Sequence, residues 1–134
     1  MRGVFNLGMS LTLTTLATIG YSHGEDKLGP HKGFVRMPGG FHTEVVNNGT
    51  LGFKVYLLDL NWENATTQDS SAKLTLVSKN KALHTTVCAA RNDVFVCPVQ
   101  SERDIKDAVK LELETTRMGI KGVKMDYDLP LKLQ

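Results

Sequence analysis

Beyond Gly33 the apolar positions of this chain recur with a period of two, the repeat of a half-buried strand. In "GFKVYLLDLNW", Phe53, Val55 and Leu57 alternate with Lys54, Tyr56 and Leu58. Both faces are rather apolar, which predicts a strand in the middle of a sheet. "AKLTLVS" alternates through Leu74 and Leu76. "VKLELET" sets Val109, Leu111 and Leu113 inward, with Lys110, Glu112 and Glu114 toward water. "GVKMDYDLPLKL" sets Val123, Met125, Tyr127 and Leu129 opposite Lys124, Asp126 and Asp128. "NNGT" at 47–50 and "NATTQDSS" at 64–71 break the pattern. They also place Asn48 and Asn64 in glycosylation-type sequons. The one helical signal is "SERDIKD", where Ser101 can cap a single turn. These periods predict an all-β fold: an immunoglobulin-like β-sandwich of seven or eight short antiparallel strands. A small β-barrel is the structural alternative. The Cys…Trp…Cys spacing of a true immunoglobulin domain is missing.

The first residues break this pattern. "MRGVFNLGMSLTLTTLATIGYS" has a positive charge at Arg2, an uncharged apolar stretch, and small residues at Gly20 and Ser22. This is the layout of a signal peptide over residues 1–22, cleaved before His23. The alternative is a buried N-terminal strand or helix. The stretch is too short and too Thr-rich to span a bilayer well, and no second candidate span follows, so no integral membrane segment is expected after cleavage. The predicted organisation is a leader at 1–22, a flexible His/Gly/Pro lead-in at 23–32, and a single domain at 33–134. A periplasmic or secreted location follows.

The stretch "TTVCAARNDVFVCPV" holds the chain's two cysteines. A two-residue turn at Asn92-Asp93 pairs Arg91 with Val94 and, counting outward, Cys88 with Cys97. The latter pair is non-hydrogen-bonded, with Cα atoms about 4.5 Å apart, within reach of a disulfide. Export makes a hairpin disulfide between Cys88 and Cys97 the expected state, ahead of a metal-thiolate pair. Pro98 cannot donate to a ladder, so the hairpin is expected to sit at a sheet edge or to fray there.

Three of the four histidines fall in "HGEDKLGPHKGFVRMPGGFHTE". Imidazoles from His23, His31 and His42 suit copper or zinc, and the thioether of Met37 favours cuprous copper. A hairpin with Pro38 to Phe41 as its loop sets Met37 opposite His42. His31, in a Pro-His-Lys-Gly loop, can swing toward the same edge. Cleavage before His23 would add a free α-amine and an imidazole to that set. The plain alternative is a polar loop of solvated histidines. His84 reads as structural, and Met118 and Met125 read as core residues.

"GPHKGFVRMPGGFHTEVV" and "GFKVYLLD" resemble small periplasmic YtkA-like domains. They also resemble the His/Gly-rich heavy-metal-associated segments of cation-efflux membrane fusion proteins. The resemblance runs over Gly29 to Leu60 and the closing "KLELETTRMGIKGVKMDYDL", and falls on Gly29, Pro30, His31 and Gly33. It implies an exported bacterial sandwich with a metal association, whose first full strand carries His42 and Glu44 on one face. Lys32 departs from the pattern, which often has a small residue there.

Charge adds little. Lys and Arg number 16 against 14 Asp and Glu, a formal charge of +2. No basic patch marks a nucleic-acid binder. No G-x-S-x-G elbow, H-E-x-x-H or P-loop occurs, and Asp59 and Glu63 are isolated carboxylates, so no enzyme is expected. The sequence reads as an exported copper-binding accessory protein, with zinc as the second candidate metal, acting in metal buffering or transfer. Its expected partner is a metal-efflux or other envelope protein. The alternative is a scaffold domain without metal that pairs through an exposed edge strand at "HTTVCAA".

Overall fold

The structure, a computed structural model, describes residues 26–134. The expected leader and His23 lie outside the described residues. Ten strands, one short α-helix and one 3-10 turn (Gly49–Leu51) follow in chain order. The strands are β1 (Phe34–Arg36), β2 (His42–Asn47), β3 (Gly52–Leu58), β4 (Ser71–Ser78), β5 (Lys81–Val87), β6 (Ala89–Arg91), β7 (Val94–Pro98), β8 (Lys110–Arg117), β9 (Ile120–Lys121) and β10 (Met125–Asp128). The helix α1 (Glu102–Asp107) lies between β7 and β8. The expected seven or eight strands become ten because three very short ones, β1, β6 and β9, join them.

All strand pairs are antiparallel. One sheet has the order β1-β2-β3-β7-β6, and the other β10-β8-β4-β5 with β9 added to β8. Val45, Phe53, Val55, Leu57 and Phe95 of the first sheet meet Leu74, Leu76, Leu111, Leu113 and Tyr127 of the second in one core. β3 runs between β2 and β7, as its two apolar faces predict. Among the described residues, no helix is long and apolar enough to cross a membrane.

The hairpin arithmetic holds. Arg91 pairs with Val94 and Ala89 with Val96, with Asn92 in the left-handed region at φ 54°. Cys88 and Cys97 are disulfide-bonded with Cα atoms 4.4 Å apart. β6 is the outer strand of its sheet, the edge position that Pro98 points to. "HTTVCAA" is not one strand, however. It breaks at Cys88, where the chain leaves β5 in one sheet for β6 in the other. The Cys88 amide still donates to Ala72 O of β4 at 2.9 Å, so the disulfide fastens the crossover between the sheets.

Three inward assignments need correction. Val109 and Val123 are 53% and 61% exposed. Val109 sits where α1 hands over to β8, and Ala108 fills the core position there instead. Val123 lies in the irregular link before β10, held by its amide on Pro38 O. Met118 is a turn residue at φ 48° and is also exposed, whereas Met125 is buried as expected. Ser101 caps α1 by accepting from the Asp104 amide.

Candidate functional site

Residues paired across a ladder share a face of the sheet. Arg36 pairs with Thr43, and Thr43 with Leu57, on the core side. Val35, Glu44 and Tyr56 form a row on the outer side, and His42 and Leu58 belong to the next row. An outer face ordinarily meets water. Here Val35, Glu44, His42 and Leu58 are all buried, because the lead-in and the 59–64 turn lie over them.

Glu44 holds the lead-in down. Its Oε1 accepts from the amides of His31 (2.8 Å) and Gly33 (2.9 Å). Its Oε2 lies 2.7 Å from His31 Nδ1. This carboxylate is wholly buried, and three charge-assisted contacts offset the cost of taking it out of water. The glycines are required by close approach: a Cβ at Gly29 would lie 2.6 Å from the Glu44 carboxylate, and one at Gly33 would lie 2.7 Å from Val45 O. Lys32 closes this turn at φ 61°, a conformation that suits glycine. The His31 ring lies flat on Tyr56, with centroids 3.6 Å apart and planes 3° apart. Burial raises the Tyr56 pKa above its ordinary value, with Asp93 and Glu44 adding to the rise.

The second half of the site rests on Asp59. Its Oδ1 accepts from the amides of Asn61 and Glu63, and its Oδ2 from the Asn64 side chain. Hydrogen bonding from Glu63, then Asn64, holds the Asp59 pKa below its ordinary value. Asp59 is therefore the organiser of the turn, and Asn64 lies within it at φ 51°. The turn carries Trp62 edge-on to His42, at 5.8 Å between ring centroids. Lys27 reaches over the Trp62 ring, its Nζ 5.2 Å from the centroid. His42 Nδ1 lies 3.1 Å from Asp59 O.

Both histidines are thus set in the same way. A carbonyl oxygen can only accept, so His42 Nδ1 carries the proton. Glu44 imposes the same tautomer on neutral His31. A ring N–H given to a carboxylate or carbonyl is the usual support of a metal-binding imidazole.

The structure brings His31 and His42 to one covered face. Met37 leaves β1 just past the last pair of the β1–β2 ladder, Arg36 with Thr43, one step short of the expected Met37–His42 pair. Its side chain is 40% exposed. Glu44 holds both the backbone and the ring of His31. His84 lies on β5 opposite Leu76 in the other sheet, away from this face. Among the described residues, no group of three His, Cys, Asp or Glu side chains is placed to hold a metal ion. Sequence reading missed Glu44 and Tyr56 as the residues that orient His31. The alternation of "HTEVV" with "KVYLL" carried that signal, since it sets Glu44 and Tyr56 on one face.

Comparison with protein-family models, with curated proteins and with solved structures returns no match.

Proposed function

We propose that this chain is an exported, immunoglobulin-like accessory domain that binds one copper ion at the covered face, for buffering or transfer to an envelope partner. The observation that supports this reading is the placement of His31 and His42 over one face of the sheet, each with its Nδ1 set against a fixed oxygen, Glu44 Oε2 and Asp59 O respectively. Met37, exposed beside the end of the β1–β2 ladder, is the soft donor that would favour cuprous over cupric copper, and copper over zinc. His23 would join as a fourth donor, with its α-amine if cleavage frees it. Transfer would proceed from the exposed Met37 side, because Glu44 and Tyr56 fix His31 in place.

The test is a competition titration against a chromogenic chelator at controlled redox state. One equivalent of copper is expected. Met37→Leu weakens cuprous more than cupric binding, and His42→Ala weakens both. Glu44→Gln weakens binding about tenfold or more by loosening the His31 ring. Binding falls in acid, because protons compete for the same nitrogens. Copper affinity that is unchanged in a His31, Met37, His42 triple variant removes the proposal.

A second reading is favoured by β5. This seven-residue strand is the outer strand of its sheet and ends in Val87, which is 76% exposed. It would pair with a strand of an envelope partner. A wild-type protein silent to copper, together with a partner interaction lost on Val87→Lys, would select this reading.

A further inference from the structure

We propose that the groove between β1 and β10 is a binding site for a carboxylate group, anchored by Arg36. Arg36 ends β1 on the core side and is only 2% exposed. Its Nη1 donates to the carbonyl of its own neighbour, Val35, at 2.9 Å. Its guanidinium carbon lies 4.8 Å from the centre of the Tyr127 ring. Its Nε is buried with no hydrogen-bond partner. A guanidinium stays charged under any ordinary condition, so folding places a full positive charge in the interior. The aromatic face offsets part of that cost.

The counter-charge is missing. Among the described residues, none of the ion pairs includes Arg36. The other charged side chains along the groove are already matched. Asp126 lies 3.2 Å from Lys110, Asp128 lies 3.3 Å from Lys132, and Lys124 lies 3.3 Å from Glu112. A buried cation left unpaired is costly to a fold. One anionic group delivered from outside would satisfy both the charge and the orphaned Nε.

The groove selects the chemistry. It has a volume of about 300 Å³ and is lined by Arg36, Lys124, Met125, Asp126, Asp128 and Gln134. That is the small end of ligand sites, enough for a carboxylate and a few further heavy atoms. A planar carboxylate matches the guanidinium fork. The two aspartates at the groove disfavour a doubly charged phosphate. A free small acid and the terminal carboxylate of a peptide present the same group.

The test follows the Arg36 Nε–H resonance by NMR during titration with butyrate, with tetra-alanine, with its C-terminal amide, and with phosphate at matched ionic strength. A saturable shift is expected with butyrate or the free-acid peptide, and little response with the amide or phosphate. Stronger binding of butyrate identifies a free acid as the source, and stronger binding of the peptide identifies a chain terminus. Binding of the preferred probe, measured by calorimetry, should weaken about tenfold or more in Arg36→Met, with the loss of charge-assisted hydrogen bonds. Arg36→Lys, which keeps the charge without the fork, should also bind more weakly than wild type. Absence of a saturable response to either carboxylate probe, or equal affinity in Arg36→Met, overturns the assignment and leaves Arg36 as a packing residue.

Discussion

The Tyr127 hydroxyl lies 2.7 Å from Thr43 Oγ1 and 3.2 Å from Thr43 O. This contact joins β10 of one sheet to β2 of the other, across 84 residues of chain. Both residues are fully buried. Burial drives the Tyr127 pKa far above its ordinary value, so the hydroxyl keeps its proton and remains a donor. The contact closes the core on the side where β1 and β10 form the edges of the two sheets.

Removing that hydroxyl leaves buried Thr43 groups short of a partner. Tyr127→Phe is expected to lower unfolding free energy by about 1–3 kcal/mol. Urea denaturation should show an earlier midpoint with an unchanged slope. A midpoint equal to that of wild type would mean that the contact contributes nothing.

The disulfide constrains the crossover between sheets. Its loop is short, with a sequence separation of 9, and the chain-entropy contribution is about 2–3 kcal/mol. Cys88→Ala paired with Cys97→Ala should lower the melting temperature, and reduction of the native protein should do the same. Peptide mapping without reductant should recover the two cysteines as one linked fragment pair. Their recovery as free thiols under oxidising conditions would contradict the structure.

Lys32 adopts φ 61° in the turn closed by Gly29. A left-handed conformation costs a residue with a side chain about 1–2 kcal/mol. Lys32→Gly relieves that cost, less the extra freedom that glycine gains when unfolded. A net stabilisation of about 0.5 kcal/mol or more is expected, read as a rise in denaturation midpoint. Loss of stability would show that the Lys32 side chain contributes more than its backbone costs.

Acid should weaken the fold in a defined window. Hydrogen bonds within its turn lower the Asp59 pKa, and Lys110 and Lys73 lower those of Glu112 and Glu114 respectively. A depressed folded-state pKa gives stability that is present above the unfolded value, about 4, and lost as pH falls through the folded one. Denaturation midpoints should therefore hold near neutrality and drop below about pH 4. Asp59→Asn should flatten that drop, since the amide does not titrate. An identical acid profile in this variant would remove Asp59 as a contributor.

Much of the fold was legible in the sequence because strand alternation is a local property. Leu111 and Leu113 against Lys110 and Glu112, the Ser101 cap, and the register of Cys88 with Cys97 all follow from spacing along one or two neighbouring segments. Alternation could not say where a strand stops, so Val109 and Val123 were assigned to the core although the handovers at α1 and before β10 turn them outward. It also could not show the break at Cys88, where two strand-like runs enter different sheets.

The candidate site depended still more on tertiary structure. The sequence by itself determined which donors exist: His23, His31, Met37 and His42. Only the folded chain decided that the lead-in lies over the sheet face carrying Glu44 and Tyr56, because the covering rests on contacts between distant segments: Glu44 with His31 and Gly33, Tyr56 with the His31 ring, and the Asp59 turn with His42. The unpaired charge of Arg36 was equally hidden. Its position on β1 is local information, but its burial against Tyr127 requires two sheet edges, 91 residues apart in the chain, to meet.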